Sequence, residues 1–191
     1  MRWRFFWITV ITLAGCYFCA ALFGLPRGCL LPNTWVDHSV PFLKWSVWIY
    51  VLEYPMLPVA FFLVRTEPNF TRMASSLIIS ILISSLIFLV FPTLIERPVI
   101  LNLDTTDALW QCLHWMDAPT NCFPSLHVSI AAVIAVYAHR ESKIFGIVSF
   151  ILAALIILST LTTKQHYFVD VLGGLLVSWI AIRIAEKYNP S

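Results

Sequence analysis

The sequence predicts an all-α, polytopic membrane protein, a six-transmembrane-helix bundle with both termini cytoplasmic. Three observations carry this. Of the 191 residues, 60% are hydrophobic and only 12% charged, with a mean hydropathy of +0.84. A soluble domain is nearer half apolar and a quarter charged. The apolar residues gather in six runs, several close to the length that crosses a hydrocarbon layer of about 30 Å. Lysine and arginine are divided unevenly between the connecting segments, which is the bias that orients helices in a bilayer. Net charge is +2 and no basic run suggests a nucleic-acid partner. The chain, 1–191, reads as a single integral-membrane domain without internal repeats.

The expected spans are Trp3–Leu25, Phe42–Val64, Met73–Ile95, Leu126–His139, Phe145–Leu161 and Phe168–Ile184. The opening Met1-Arg2-Trp3-Arg4 and the small residues Ala20-Ala21 could pass for a signal peptide. The run behind them is about 20 residues long and carries bulky aromatics, so it reads as a retained first span. The fourth span is the shortest and starts at Pro124-Ser125, a proline-and-cap opening.

Six spans put both termini on one side. Termini inside leave eight basic residues on inner segments (Arg2, Arg4, Arg65, Arg72, Arg140, Lys143, Arg183, Lys187) and four on outer ones (Arg27, Lys44, Arg97, Lys164). That bias favours cytoplasmic termini. The outer loops are Pro26–Pro41 and Pro92–Pro124, and Trp35, Trp110 and Trp115 in them suit the bilayer interface. Cys16 and Cys19 read as small apolar residues of the first span. Cys29, Cys112 and Cys122 lie in outer loops, where Cys112 and Cys122 could pair in an oxidising compartment, although sequence does not settle connectivity.

Chemistry concentrates at two points. Thr163–Asp170 joins the last two spans and places Lys164, His166 and Asp170 within seven residues. His166 and Asp170, four apart, share a helix face. A carboxylate beside an imidazole fixes its tautomer and stabilises its charged form. The second point is Phe123-Pro124-Ser125-Leu126-His127. The six-span topology puts both points and Arg97 on the external face. A buried histidine satisfied at an interface would explain His166 alone; Arg97 and Lys164 nearby make a phosphate pocket, since arginine offers a bidentate fork and lysine a point charge.

Other polar residues read as structural. Glu53, about 15 Å into the second span, should face the bundle interior and find a partner. His38 and His114 read as solvated or interfacial, His139 lies inside, and a solvated loop explains Asp104, Asp107 and Asp117 as well as a gating role does. Histidines and carboxylates lack metal-ligand spacing, so no metal is expected. Gly173-Gly174 reads as a close-packing point below Asp170.

These residues resemble the type 2 phosphatidic acid phosphatase superfamily. Pro124-Ser125-Leu126-His127 is similar to its P-S-G-H motif. Ser159-Thr160, five residues, His166, three residues and Asp170 follow the spacing of its S-R-x5-H-x3-D motif, and Arg97-Pro98 looks like the end of its K-x6-R-P motif. The motif region covers about residues 90–174. The resemblance implies a metal-independent enzyme without cofactor. His166 would attack phosphorus, Asp170 would orient it, and His127 would protonate the leaving oxygen. Arg97 and the backbone near Ser125 would hold the phosphate.

The chain departs from that pattern at three places. Val90 stands at the lysine position, Thr160 at the arginine position and Leu126 at the glycine. Lys164 is the expected replacement for one missing cation. The departures, with Val47-Trp48-Ile49-Tyr50 and Glu53-Tyr54-Pro55, look like the inositol phosphorylceramide synthase-like subgroup. The expected function is a membrane lipid phosphatase acting at the outer face on a lipid phosphate ester or diphosphate. The alternatives are a phosphotransferase moving a phospho-headgroup to an alcohol such as inositol, and a non-catalytic module that binds lipid phosphates. The partners expected are the bilayer and a lipid phosphate, and the expected location is the bacterial inner membrane with the site facing the periplasm or exterior.

Overall fold

The computed structural model describes residues 2–24, 27–101 and 104–189. The expected end of the first span at Leu25 and the start of the first outer loop at Pro26 fall outside them. Nine α-helices and one pair of two-residue strands make up the described chain.

The first helix, α1 (Arg2–Gly24), matches the expected first span. The second expected span is interrupted. A 3-10 turn at Lys44–Ser46 leads into α3 (Val47–Tyr50), and after two turn residues α4 (Glu53–Leu63) continues. Pro55 explains the interruption. It has no N–H to return to the Val51 carbonyl, which accepts instead from Tyr54 at 3.2 Å. The helix therefore restarts with proline in its first turn, where a missing donor costs least. Helix α5 (Asn69–Val90) ends ahead of Pro92, earlier than the expected Ile95.

Helices α7 (Leu126–Glu141), α8 (Lys143–Thr162) and α9 (Phe168–Tyr188) complete the bundle, each running slightly past its expected end. Five segments are long and apolar enough to cross a membrane: those of α1, α3–α4, α5, α8 and α9. Helix α7 has 16 residues, about 24 Å of helix, and falls short of that length. It is the central helix, packed by α4, α5, α8 and α9, and ten of its residues are buried.

Sidedness follows from composition turned inside out. Ile147, Ile151, Leu155 and Leu158 of α8 and Leu172, Leu176 and Trp179 of α9 are exposed at helical spacing, the mark of a lipid-facing surface. Helix α5 buries Ser76, Ser80 and Ser84 instead, small residues that let backbones approach.

The two loops expected on the outer side hold more structure than expected. The first contains α2 (Trp35–Ser39), and the second contains α6 (Thr105–Met116). Strand β1 (Cys29–Leu30) pairs in parallel with β2 (Thr93–Leu94), joining the two loops. Helix α6 is capped by Asp104, whose carboxylate accepts the Asp107 N–H at 2.9 Å. It buries Trp110 and Leu113 against Val47 and Tyr50 of α3. Trp110 is thus a core residue and not an interface anchor; its indole N–H donates to the Lys44 carbonyl at 2.9 Å. Trp35 and Trp115 are exposed, as expected.

Candidate active site

His127 lies in the first turn of α7 and His166 in the turn before α9. The contact between these two helix starts brings them together. The Ser125 N–H donates to the Asp170 carbonyl at 3.1 Å. Gly174 sits under Ser125, where a Cβ would stand 2.5 Å from the Ser125 carbonyl oxygen. Gly173 makes room for the Phe123 ring in the same way. Only a residue without a side chain allows such an approach, so the glycine pair acts in packing, as its place below Asp170 suggested. The imidazole centroids of His127 and His166 lie 5.8 Å apart with ring planes at 57°.

His166 is buried and its Nδ1 faces two acceptors, the Cys122 carbonyl at 3.1 Å and Asp170 Oδ2 at 3.4 Å. A proton on Nδ1 serves both and leaves Nε2 with the lone pair. Asp170 also accepts the Tyr167 N–H at 2.8 Å, so it caps α9 while it orients the ring. Sequence spacing pointed to the carboxylate, but the nearer partner is a backbone carbonyl from a loop more than 40 residues away.

The surroundings of His127 were not legible as a site. Its Nδ1 lies 3.2 Å from the Tyr50 hydroxyl, and the two rings stack at 4.3 Å. Its Nε2 has no hydrogen-bond partner among the described residues; Glu53 Oε2 lies 3.7 Å away. Glu53 therefore faces the interior, as its depth required, and what it faces is the candidate imidazole.

Arg97 reaches the same place with its donors largely committed. Nη1 donates to the Asp117 carbonyl at 2.6 Å, and Nη2 to Asp117 Oδ2 at 3.2 Å and the Ala118 carbonyl at 3.0 Å. Asp117 is no solvated loop residue: its side chain is 16% exposed, that of Arg97 12%. Burial pushes the Asp117 carboxyl upward, against the opposing pull of Arg97 and of the Tyr17 hydroxyl that donates to it. Thr160, at the motif's arginine position, turns its hydroxyl back to the Ile157 carbonyl at 2.7 Å. Val90, at the lysine position, is exposed.

Lys164 adopts a left-handed backbone, φ 54°, uncommon for a residue with a side chain. Its ammonium donates to the carbonyls of Asp37 at 2.8 Å and Val40 at 2.6 Å. The Asp37 carboxylate accepts from Phe168 N–H at 2.7 Å and from Thr34 N–H at 2.8 Å. Burial raises the Asp37 pKa, but the hydrogen bonds from Thr34 and Phe168 and the Lys164 charge outweigh it and hold the carboxyl below its ordinary range. The loop between α1 and α3 thereby clamps the turn that carries His166.

All five cysteines are free. Cys112 is exposed on α6 beside Met116, while Cys122 is buried against the site. Burial pushes the Cys122 thiol up, and no staple closes the loop.

Two cavities meet at His166 and Arg97. One, about 390 Å³, is lined from α1, α4, α7 and the loops by His127, His166, Arg97 and Glu53 together with Val10, Leu13, Phe18 and Ile130. The other, about 490 Å³, lies on the loop side and is polar, lined by Asn33, Asp37, His38, Glu96 and Lys164. His38 is thus a lining residue of the loop-side cavity. His114 packs against Trp110 with ring centroids 5.4 Å apart, and burial with the Arg97 charge lowers its pKa.

The family model for the PAP2 superfamily matches residues 23–184, a stretch that includes both imidazoles, Arg97 and Asp170. A PA-phosphatase related-family protein of Dictyostelium discoideum is 35% identical over 69 residues. That match spans 36% of this chain and 12% of the relative. No solved structure matches the chain.

Proposed function

The chain belongs to the PAP2 superfamily, and on that premise we propose that it is a lipid phosphatase of the outer membrane face, working through a phosphohistidine. The observation that carries this is the pair of imidazoles 5.8 Å apart on a cavity whose lining is mostly apolar. The acyl chain of a lipid suits Val10, Leu13 and Ile130, and its phosphate suits the space between His127, His166 and Arg97.

The steps balance as follows. His166 Nε2, held outward by the contacts of Nδ1, attacks phosphorus and forms the P–N bond. The P–O bond to the lipid breaks, and its oxygen takes the proton from His127 Nε2. A water oxygen then attacks phosphorus, giving its proton to His127, and the P–N bond breaks. An imidazole can act as a nucleophile through its lone-pair nitrogen and as a general acid or base through the other. Arg97 and the first turn of α7, whose amides carry partial positive charge, hold the phosphoryl oxygens. Lys164 contributes its charge from the loop-side cavity. No metal enters these steps, and among the described residues no group of three histidine, cysteine or acidic side chains is arranged to hold one.

A second reading, transfer of a phospho-headgroup to an alcohol, as in the inositol phosphorylceramide synthase-like subgroup, is favoured by the polar cavity that shares His166 and Arg97 with the apolar one. A hydroxyl entering there would reach the same phosphorus as water. We read α7 as a sixth crossing, with both termini cytoplasmic, which sets both cavities at the external face. Phosphate release from a panel of lipid phosphates, with and without inositol or glycerol, separates hydrolysis from transfer. Activity retained by His166→Ala would defeat both, and lipid-phosphate binding without any turnover would indicate a binding module.

A further inference from the structure

A pocket that the proposed mechanism leaves unused, about 280 Å³, lies between α1 and α4. Arg2, Trp3 and Phe6 of α1 line it, with Pro58 and Phe62 of α4 and with Arg65 beyond. It stands at the end of the bundle away from the imidazoles. Glu53, beside His127, opens α4, and Arg65 follows the other end of that helix. Thr66 donates its hydroxyl proton to Glu141, the last residue of α7, at 2.6 Å, whereas His127 lies in the first turn of α7. The flanking spans are Arg2–Leu22 and Lys44–Leu63, so both arginines stand at a membrane boundary.

The two guanidinium groups are fixed over this pocket. Arg2 Nη1 donates to the Val64 carbonyl at 3.5 Å and Nη2 to the Arg65 carbonyl, so Arg2 satisfies open carbonyls past the end of α4. Its guanidinium also lies 4.8 Å from the centroid of the Phe70 ring. Arg65 Nε donates to the Phe62 carbonyl at 3.2 Å, and the guanidinium stacks 5.0 Å over the Phe62 ring. That leaves both Nη atoms of Arg65 without a hydrogen-bond partner among the described residues. Neither arginine forms an ion pair with a described residue. Boundary arginines ordinarily extend toward water. Here two of them fold onto aromatic rings at one apolar pocket, beside the exposed rings of Trp3 and Phe62.

Charge and wall chemistry together name the occupant. A guanidinium offers a planar fork to phosphate oxygens, and basic pockets between membrane helices take anionic headgroups. A free anion would make no use of Trp3, Phe6 and Pro58, and a zwitterionic lipid brings a cation of its own toward the arginines. We propose that this pocket binds an anionic phospholipid of the leaflet opposite the imidazoles, with its phosphate on Arg65 and Arg2 and an acyl chain against Trp3, Phe6 and Phe62. The bound lipid bridges α1 and α4. Helix α1 packs mainly on α5 and only lightly on α4, and its span is the least buried of the five, at 17%. Val10 and Leu13 of α1 wall the cavity that holds the imidazoles, so a lipid that ties α1 to α4 also firms that wall.

The test places the full chain in phosphatidylcholine nanodiscs, with and without phosphatidylglycerol of the same acyl chains, and follows thermal unfolding by tryptophan fluorescence. Phosphatidylglycerol is expected to raise the wild-type midpoint by about 5 °C or more. Arg65→Ala is expected to melt near wild type in phosphatidylcholine alone and to lose most of that rise. Arg65→Gln keeps a donor for the Phe62 carbonyl and repeats the test should Arg65→Ala fold poorly. Arg65 is remote from the imidazoles, so phosphatidylglycerol in the catalytic cavity would stabilise wild type and variants alike and cannot mimic this result. No rise in wild type, or an equal rise in wild type and a folded Arg65 variant, would overturn the proposal. A rise of the same size on adding inorganic phosphate to phosphatidylcholine nanodiscs would reveal a free-anion site and overturn the lipid as occupant. The readout needs no turnover, so its outcome is independent of the enzymatic reading.

Discussion

At the residue scale, His127 depends on neighbours that no motif spacing reveals. Tyr50 is fully buried and its hydroxyl meets His127 Nδ1. Tyr50→Phe removes that hydrogen bond and leaves the ring nitrogen unpaired, a loss of about 1–2 kcal/mol. Expressed in the transition state, this is about a 5–30-fold fall in kcat with KM little changed, read from initial rates. His127→Ala removes the proposed acid and base and should lower kcat by about 10²–10⁴-fold. Burst labelling with a radioactive lipid phosphate would detect a phosphoenzyme that persists in this variant and is absent from His166→Ala. Asp37 supplies a pH signature. Its carboxyl is held below the usual value of about 3.9, so its contribution is present above that value and is lost as pH falls through the lower folded-state pKa. Asp37→Ala should lose about 0.5–2 kcal/mol near neutrality, as cap removal does. The gap to wild type should close only below about pH 4, followed by thermal unfolding with tryptophan fluorescence.

At the element scale, the site depends on how closely α9 approaches the start of α7. Gly174→Ala would place a carbon 2.5 Å from the Ser125 carbonyl oxygen and 2.8 Å from Val128, so backbone must move. The expected cost is about 1–3 kcal/mol, with loss of activity beyond the loss of fold because His127 shifts with its helix. Gly15→Ala on α1 meets nothing within 4 Å and should leave the melting temperature in detergent unchanged or raised. The long helices were legible because each long apolar run has one dominant cost, exposing backbone to lipid, whereas the fourth expected span, Leu126–His139, became α7, shorter than a crossing. Helix α6 was not, because a 12-residue amphipathic helix inside a polar loop has no such signature until Trp110 finds Val47 and Tyr50. The interruption at Tyr50–Glu53 falls inside a span expected to be continuous, and its result, a tyrosine and a glutamate beside His127, required the packing of α3 against α6 and of α4 against α7.

At the scale of the whole molecule, a bundle with both cavities at one end makes topology testable. Single cysteines introduced at His38 and Ser142 into a cysteine-free variant should label oppositely with an impermeant maleimide added outside intact cells, His38→Cys reacting and Ser142→Cys not. Labelling of both, or of Ser142→Cys alone, would sink the six-span orientation. Turnover should also survive exhaustive chelation with EDTA. Composition and run length by themselves determined that the chain is an all-α membrane protein, since 60% apolar residues leave few other ways to satisfy the backbone. Spacing determined which residues to watch, because His166 and Asp170 lie one helical turn apart. Only the tertiary structure decided what surrounds them: Cys122 on His166, Tyr50 and Glu53 on His127, and Asp117 on Arg97. Those partners come from segments tens of residues away, and contacts made by packing across a bundle leave no local period in the chain.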